Sequence, residues 1–290
     1  EYKNVVTPFM TRDELYSHVG YLKITPTLAW QSPDSRLKLG ASVHLGRVET
    51  EIKYFPNTTM PGMFDGFKVK DLEATGFGVR LGFQYELDNL VIGGSWLSKT
   101  DLDFDGGSLS LASEPGTQIN AEMKGFNWPQ RVGLGFVYNI NYAFRIAADI
   151  DWIEWSQALE TVTLTGGPEP ILFEMSWDDQ WVYAIGAEWG FTERWVARAG
   201  YNYGESPVPD RTLSALFPAI VEEHATLGVG YHTYSWKVDL AYEHGFKNEQ
   251  TNPNTGATES HEQKTVHFML TWLYEHLPRE HRILKYHHLQ

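Results

Sequence analysis

Apolar and polar residues alternate with period two through most of this chain. In residues 194–244 the rows are clean. Trp195, Ala197, Ala199, Tyr201 and Tyr203 fall on one side, and Arg194, Arg198, Gly200 and Asn202 on the other. The pattern returns as Ala225, Leu227, Val229 and Tyr231, and again as Trp236, Val238, Leu240 and Tyr242. Period two means β-strands with one apolar and one polar face. The apolar rows carry aromatics at their ends, as strands do when they face lipid and place rings at both membrane interfaces. A soluble antiparallel sheet alternates too, so the connections must decide between the two.

The same reading predicts strands over about 19–30, 36–51, 75–87, 90–104, 119–139, 144–152, 180–191 and 264–274. Short turns, such as Asp88-Asn89, Asn139-Ile140-Asn141 and Thr192-Glu193, alternate without exception with long segments. The long segments are 53–71, the stretch holding Gly106-Gly107 and Pro115-Gly116, the stretch from Thr165, 205–222 and 246–263. Connections sorted in this way build bacterial outer-membrane barrels, and sandwiches do not sort them so. The expected fold class is all-β, an antiparallel transmembrane β-barrel over 18–275. Residues 1–17 are expected to be irregular and 276–290 to form a periplasmic C-terminal tail. The count comes to about eleven strands, whereas single-chain bacterial barrels have even numbers. An open edge in hydrocarbon would leave backbone groups unpaired. N-terminal barrel sequence is therefore expected to lie outside this numbering.

Composition fits this picture. No apolar run approaches the roughly 18 residues of a membrane helix. Mean hydropathy is negative, because alternation hides a lipid face from averaging. The 15 Tyr, 15 Phe and 11 Trp can furnish interfacial girdles. Cysteine is absent, which excludes disulfides and thiolate metal sites. Acidic residues number 37 against 23 basic, a net charge of -14, and this argues against nucleic acid as a partner. The opening Glu1-Tyr2-Lys3 shows no secretory pattern, so a signal peptide is expected to have been removed or to lie outside this numbering.

Several local runs carry a resemblance. Trp152-Ile153-Glu154-Trp155-Ser156 follows a strand. Arg198-Ala199-Gly200-Tyr201 precedes Ser206-Pro207-Val208-Pro209. The segment from Arg211 to Pro218 ends in proline before the strand of Leu227-Gly228-Val229-Gly230-Tyr231. In order and spacing these are similar to the C-terminal two-thirds of the FadL-type family of outer-membrane channels for long-chain fatty acids and other hydrophobic compounds. The resemblance implies a barrel of about 14 strands in the full chain, an N-terminal hatch and a lateral opening in the wall. The family's hatch and first strands have no counterpart here, and the continuation through 276–290 departs from its usual aromatic ending.

Candidate ligand residues follow from the long segments. Phe55, Met60, Met63, Phe64 and Phe67 are large apolar side chains in the expected loop 53–71, and Leu216, Phe217 and Ile220 lie in 205–222. In the resembling family the first of these loops helps form an outer groove that captures ligand. The competing reading is that these residues cap the loop cluster. Methionine suits a site that accepts varied shapes. Arg80, Arg131 and Arg198 are expected to face the lumen, where a cation can hold a carboxylate. The favoured reading for them is a salt-bridge network with Asp149, Asp151, Glu188 and Asp239.

Nothing marks catalysis. The inward His44, His224, His232 and His267 belong to no recognisable set with a serine and an acid. His276, His281, His287 and His288 have no metal-site spacing, and the run 101–107 lacks the later acidic ligand of a calcium loop. No enzyme activity, cofactor or metal is expected. The expected function is passive uptake of hydrophobic molecules, captured by extracellular loops and passed through the barrel. The alternative is a closed structural or surface-binding barrel. Expected partners are a hydrophobic small molecule and outer-membrane lipid, with a monomeric protein, long loops outside and the C-terminus in the periplasm.

Overall fold

The computed structural model describes residues 2–7 and 9–272. The predicted tail 276–290, with its four histidines, lies outside the described residues. The chain forms one antiparallel sheet of 17 strands. They are β1 (Tyr2–Val6), β2 (Arg12–Ile24), β3 (Thr27–Gln31), β4 (Leu37–Met60), β5 (Phe64–Leu87), β6 (Leu90–Leu97), β7 (Phe104–Leu111), β8 (Ile119–Lys124) and β9 (Arg131–Asn139). The second half holds β10 (Phe144–Ile153), β11 (Thr161–Thr165), β12 (Ile171–Glu174), β13 (Gln180–Gly190), β14 (Trp195–Gly204), β15 (Glu223–His232), β16 (Trp236–Thr251) and β17 (Thr258–Trp272).

The barrel wall runs β2/β3, β4, β5, β6, β9, β10, β13, β14, β15, β16 and β17, each antiparallel to the next. The alternation marks these strands, with two corrections: the strand expected over 90–104 ends at Leu97, and the one expected over 119–139 is two, β8 and β9, parted by the segment around Pro129. Their lipid-side rows are exposed, for example Leu39, Val43 and Leu45 on β4 and Phe77, Leu81 and Phe83 on β5. Among the described residues β17 pairs only with β16. The two ends of the sheet meet at the outer rim, where Tyr2 Oη lies 2.7 Å from His261 Nε2.

The outer half departs from the sequence reading in three ways. Within the stretch expected to be irregular, 2–6 and 12–17 are strand: β1 pairs with β2, and β2 pairs with β4 from Leu15 onward. Residues 53–71 are a protruding β4–β5 hairpin closed by a turn at 61–63. Residues 246–263 are the outer part of the β16–β17 hairpin. The hairpin is hard to read because bulges break its period. The register shifts between Thr50 and Ile52 and between Tyr54 and Thr59, and Phe55 and Asp71 take positive φ. A bulge adds a residue and moves every later side chain to the opposite face.

Short strands β7, β8, β11 and β12 branch off the outer half of β5 through the β5–β7, β7–β8, β8–β11 and β11–β12 pairings. They fold over the mouth and enclose a core that an ordinary barrel lacks. Val48, Ile52, Val69 and Leu72 of the hairpin pack with Leu109, Met123, Val162 and Leu164 of the short strands. Each such side chain contributes about 1.5–3 kcal/mol on burial, so the cap is a packed layer and not a set of loose loops.

Candidate functional site

The segment 205–222 is fixed to the cap by an amide ladder on the outer end of β16 and the residue that follows it. Asn248 Nδ2 donates to the Ile220 carbonyl (2.7 Å), Gln250 Nε2 to Val208 (2.6 Å), and Asn252 Nδ2 to Arg211 and Leu213 (3.1 Å each). Residues two apart on a strand share a face, so three amides in register grip an irregular segment along its length. A single 3-10 turn, Asp210–Thr212, is tied to the neighbouring segment by Thr212 Oγ1 donating to the Met175 carbonyl at 2.7 Å.

Below this cap lies an apolar pocket of about 370 Å³. Val19 and Tyr21 of β2 form one wall. Phe126 and Trp128 enter from the segment before β9, Trp155 from the segment after β10, Trp177 from the segment before β13, and Phe217 from 205–222. The rings pack on one another. Tyr21 meets Trp128 with centroids 5.3 Å apart, Phe126 meets Phe217 at 5.7 Å, and Trp155 meets Trp177 edge to face at 4.9 Å. Trp155 Nε1 donates to Gln180 Oε1 at 3.4 Å. A second cavity of about 540 Å³ shares Trp155, Pro218 and Ala219 with the first, and its other walls carry polar groups, including Asn202, His224 and Glu262.

The lumen beneath is polar. Arg131 clamps Asp151 through two hydrogen bonds (Nε, 2.9 Å; Nη2, 2.5 Å). Arg198 bridges Glu188 (2.6 Å) and Asp239 (2.5 Å), Arg145 adds a bond to Glu188 (2.9 Å), and His232 Nε2 lies 3.0 Å from Asp239. The carboxylates lie flat across glycines of the adjacent strand: a Cβ on Gly133 would come within 2.3 Å of Asp151 Oδ1. Five of the residues expected in a lumen network are thus ion-paired, in two separate groups: Arg131 with Asp151, and Arg198 with Glu188 and Asp239. Arg80 and Asp149 line a cavity of about 480 Å³ together with Arg131 and Asp151, and neither makes an ion pair among the described residues.

The other sequence candidates separate by burial. Phe67, Leu216 and Ile220 are buried in the cap core, and Phe55 is buried at the bulge. Phe64 is half-buried against Phe9, Tyr54 and Phe55. Met60 is half-buried, and Met63 stands exposed at the hairpin tip. Of the eight, Phe217 alone lines the apolar pocket. The pocket's indoles were missed as site residues because they lie in irregular segments, where no period says which way a side chain points.

The family model for outer membrane protein transport protein (OMPP1/FadL/TodX) matches residues 7–271. No curated protein matches the chain. The solved structure of the Pseudomonas putida toluene transporter TodX is 21% identical with a TM-score of 0.74, and covers 94% of this chain and 74% of its own. The Ralstonia pickettii toluene transporter TbuX is 18% identical with a TM-score of 0.69, covering 91% and 70%. A Pseudomonas aeruginosa FadL homologue is 18% identical with a TM-score of 0.66, covering 88% and 67%. At these identities the structural likeness speaks for the fold.

Proposed function

The chain belongs to the OMPP1/FadL/TodX family of outer-membrane transport proteins, and on that premise we propose that it is a passive channel for hydrophobic small molecules. The observation that carries the reading is the ring-lined pocket of about 370 Å³ between the cap and the lumen. Its volume lies in the range of about 300–1,000 Å³ usual for small-molecule sites. Its walls give an apolar ligand a place out of water. Below it, Arg131 pairs with Asp151, and Arg198 with Glu188 and Asp239, so these charges are already partnered. An apolar molecule that crosses the outside face would partition into the pocket first, driven by the surface it removes from water.

In this reading the ligand contacts are Tyr21, Trp128, Trp155, Trp177 and Phe217, with the cap residues Phe67, Leu216 and Ile220 supporting them. The toluene named for two of the structural relatives makes an aromatic hydrocarbon the first ligand to try, and a long-chain fatty acid the second. The protein works as a monomer in outer-membrane lipid, with the cap outside, the C-terminus in the periplasm, and no catalysis or cofactor. The test is uptake into proteoliposomes. Labelled toluene or fatty acid should accumulate faster than in empty liposomes. Uptake equal to the empty control would instead favour a closed structural barrel.

A further inference from the structure

The apolar pocket and the cavity of about 540 Å³ meet at Trp155, Pro218 and Ala219, and the lining changes character there. On one side aromatic rings dominate. On the other stand Asn202 and His224, directly opposite each other in the β14–β15 register, with Gly245 of β16 next in the row. The boundary presents no free polar side chain. Pro218 and Ala219 have none, and Trp155 Nε1 is already bonded to Gln180 Oε1.

His224 Nδ1 lies 3.0 Å from Asn202 Oδ1. An amide oxygen only accepts, so Nδ1 carries the hydrogen, and in the neutral imidazole this leaves Nε2 as an acceptor. A Cβ on Gly245 would stand 3.1 Å from Nε2, so the glycine leaves space beside that atom. The Asn202 amide brings N–H donors. An acceptor and a donor side by side complement a hydroxyl, which both donates and accepts. Charge narrows the choice further. Glu222, in the same lining, accepts from the Ser206 amide N–H at 3.0 Å. Among the described residues no lysine or arginine lines either cavity. Lys23 lies against the Tyr21 ring, with Nζ 5.9 Å from its centroid, but outside the pocket lining. A carboxylate entering here would give up water without meeting a cation, which is costly.

We propose that the two cavities are compartments of one site, and that its preferred ligand is an uncharged aromatic bearing a hydroxyl, with its rings in the apolar pocket and its hydroxyl on His224 and Asn202. The inference rests on the channel reading above and narrows it. A bare hydrocarbon leaves the polar pair unused, and a fatty-acid carboxylate is disfavoured. The preference concerns what is bound and holds for any exit route, a lateral opening in the wall included.

The test compares three rods of one shape: biphenyl, 4-phenylphenol and biphenyl-4-carboxylate. Binding to the full chain in mild detergent is measured by equilibrium dialysis at neutral pH against protein-free detergent, after heat-modifiable mobility on a gel verifies a folded barrel. 4-Phenylphenol should bind about two- to tenfold tighter than biphenyl, the range that one net neutral hydrogen bond gives, and the carboxylate should bind weakest. His224→Phe should reduce binding of 4-phenylphenol more than that of biphenyl, and Asn202→Leu should repeat the effect as an independent variant. Leu22→Ala on the lipid face should behave as the parent protein. 4-Phenylphenol binding no tighter than biphenyl, or both variants weakening the two equally, would overturn the proposal. So would a carboxylate that binds tightest and is lost in Lys23→Met, since that would put the polar end of the ligand beyond Tyr21. A parent protein that binds none of the three would instead bring down the channel reading.

Discussion

Trp155 and Trp177 meet edge to face, with ring centroids 4.9 Å apart and planes at 65°, although they come from segments on either side of β11 and β12. The chain between them runs out through the cap and back, and the contact lies just beyond the last β10–β13 pair, Ile153 with Gln180. Trp177 is 6% exposed. Edge-to-face pairs contribute about 0.5–1.5 kcal/mol beyond the area they bury.

Trp177→Ala should therefore act on both stability and ligand. The loss expected for a buried tryptophan is about 3–5 kcal/mol, and the enlarged pocket should bind an aromatic ligand more weakly. Thermal unfolding in detergent and a ligand titration followed by fluorescence check the two effects. A variant with parental melting and parental affinity would detach this pair from both cap and pocket.

The hairpin aromatics give a contrasting expectation. Phe67 is 3% exposed and packs against Tyr54 and Phe173, whereas Met63 is 74% exposed. Phe67→Ser should loosen the cap by about 3–5 kcal/mol, the usual cost of emptying a large aromatic site. Met63→Ser should leave stability within about 0.5 kcal/mol, as exposed substitutions do. Limited proteolysis of the outer segments distinguishes them: early cleavage is expected for the first variant only. Any fall in ligand affinity in Phe67→Ser should accompany that loosening.

The lipid-facing half of the fold was legible in the sequence for a physical reason. Rows such as Leu39, Ala41, Val43 and Leu45 must face hydrocarbon while Lys38, Ser42 and His44 face the lumen, and no bulge interrupts them. The lumen network was legible for the same reason, since Arg131, Asp151, Arg198 and Asp239 fall on the polar rows. Legibility ended at the rim. Beyond Thr50 the bulges reverse the faces of β4, and the short strands β7, β8, β11 and β12 are only four to eight residues long. Gly66 shows what is needed there: a Cβ would lie 1.8 Å from the Phe55 carbonyl oxygen. That constraint exists only once the hairpin is folded. Tyr21, Trp128 and Trp155 share a pocket through tertiary packing that no local pattern encodes.

Arg198 and Arg80 should respond differently to removal. Arg198 holds Glu188 and Asp239, so Arg198→Gln leaves two lumen carboxylates without their cation. The Arg198 side chain is 36% exposed, which limits the effect to about 1 kcal/mol. Arg80→Gln breaks no ion pair and should melt as the parent does. Unfolding midpoints at low and high salt check this. The Arg198 variant should differ from the parent mainly at low salt, where exposed charges are least screened.

Asp13 fastens the bulge of the outer hairpin, beyond the lipid-facing band. Its Oδ2 accepts hydrogen bonds from the Asn57 amide N–H and the Thr58 hydroxyl, both at 2.8 Å. Its Oδ1 accepts from Asn57 Nδ2 and the Glu14 amide N–H, both at 2.9 Å. Burial pushes the carboxyl upward, but the bonds from Asn57, Thr58 and Glu14 outweigh it and hold it below its ordinary value. A carboxylate depressed in the folded state stabilises at pH above its unfolded value, and the contribution is lost as pH falls through the folded value. The hairpin should thus be firmly held at neutral pH and loosen only in strong acid, below an ordinary aspartate value of about 3.9. Asp13→Ala should lose about 1–3 kcal/mol at neutral pH, because Asn57 and Thr58 keep donors without an acceptor. The gap between parent and variant should narrow as the solution is acidified. Proteolysis of the hairpin as a function of pH measures that gap, and a gap constant down to strong acid would remove the Asp13 charge from the account of how Phe55 is kept at its positive φ.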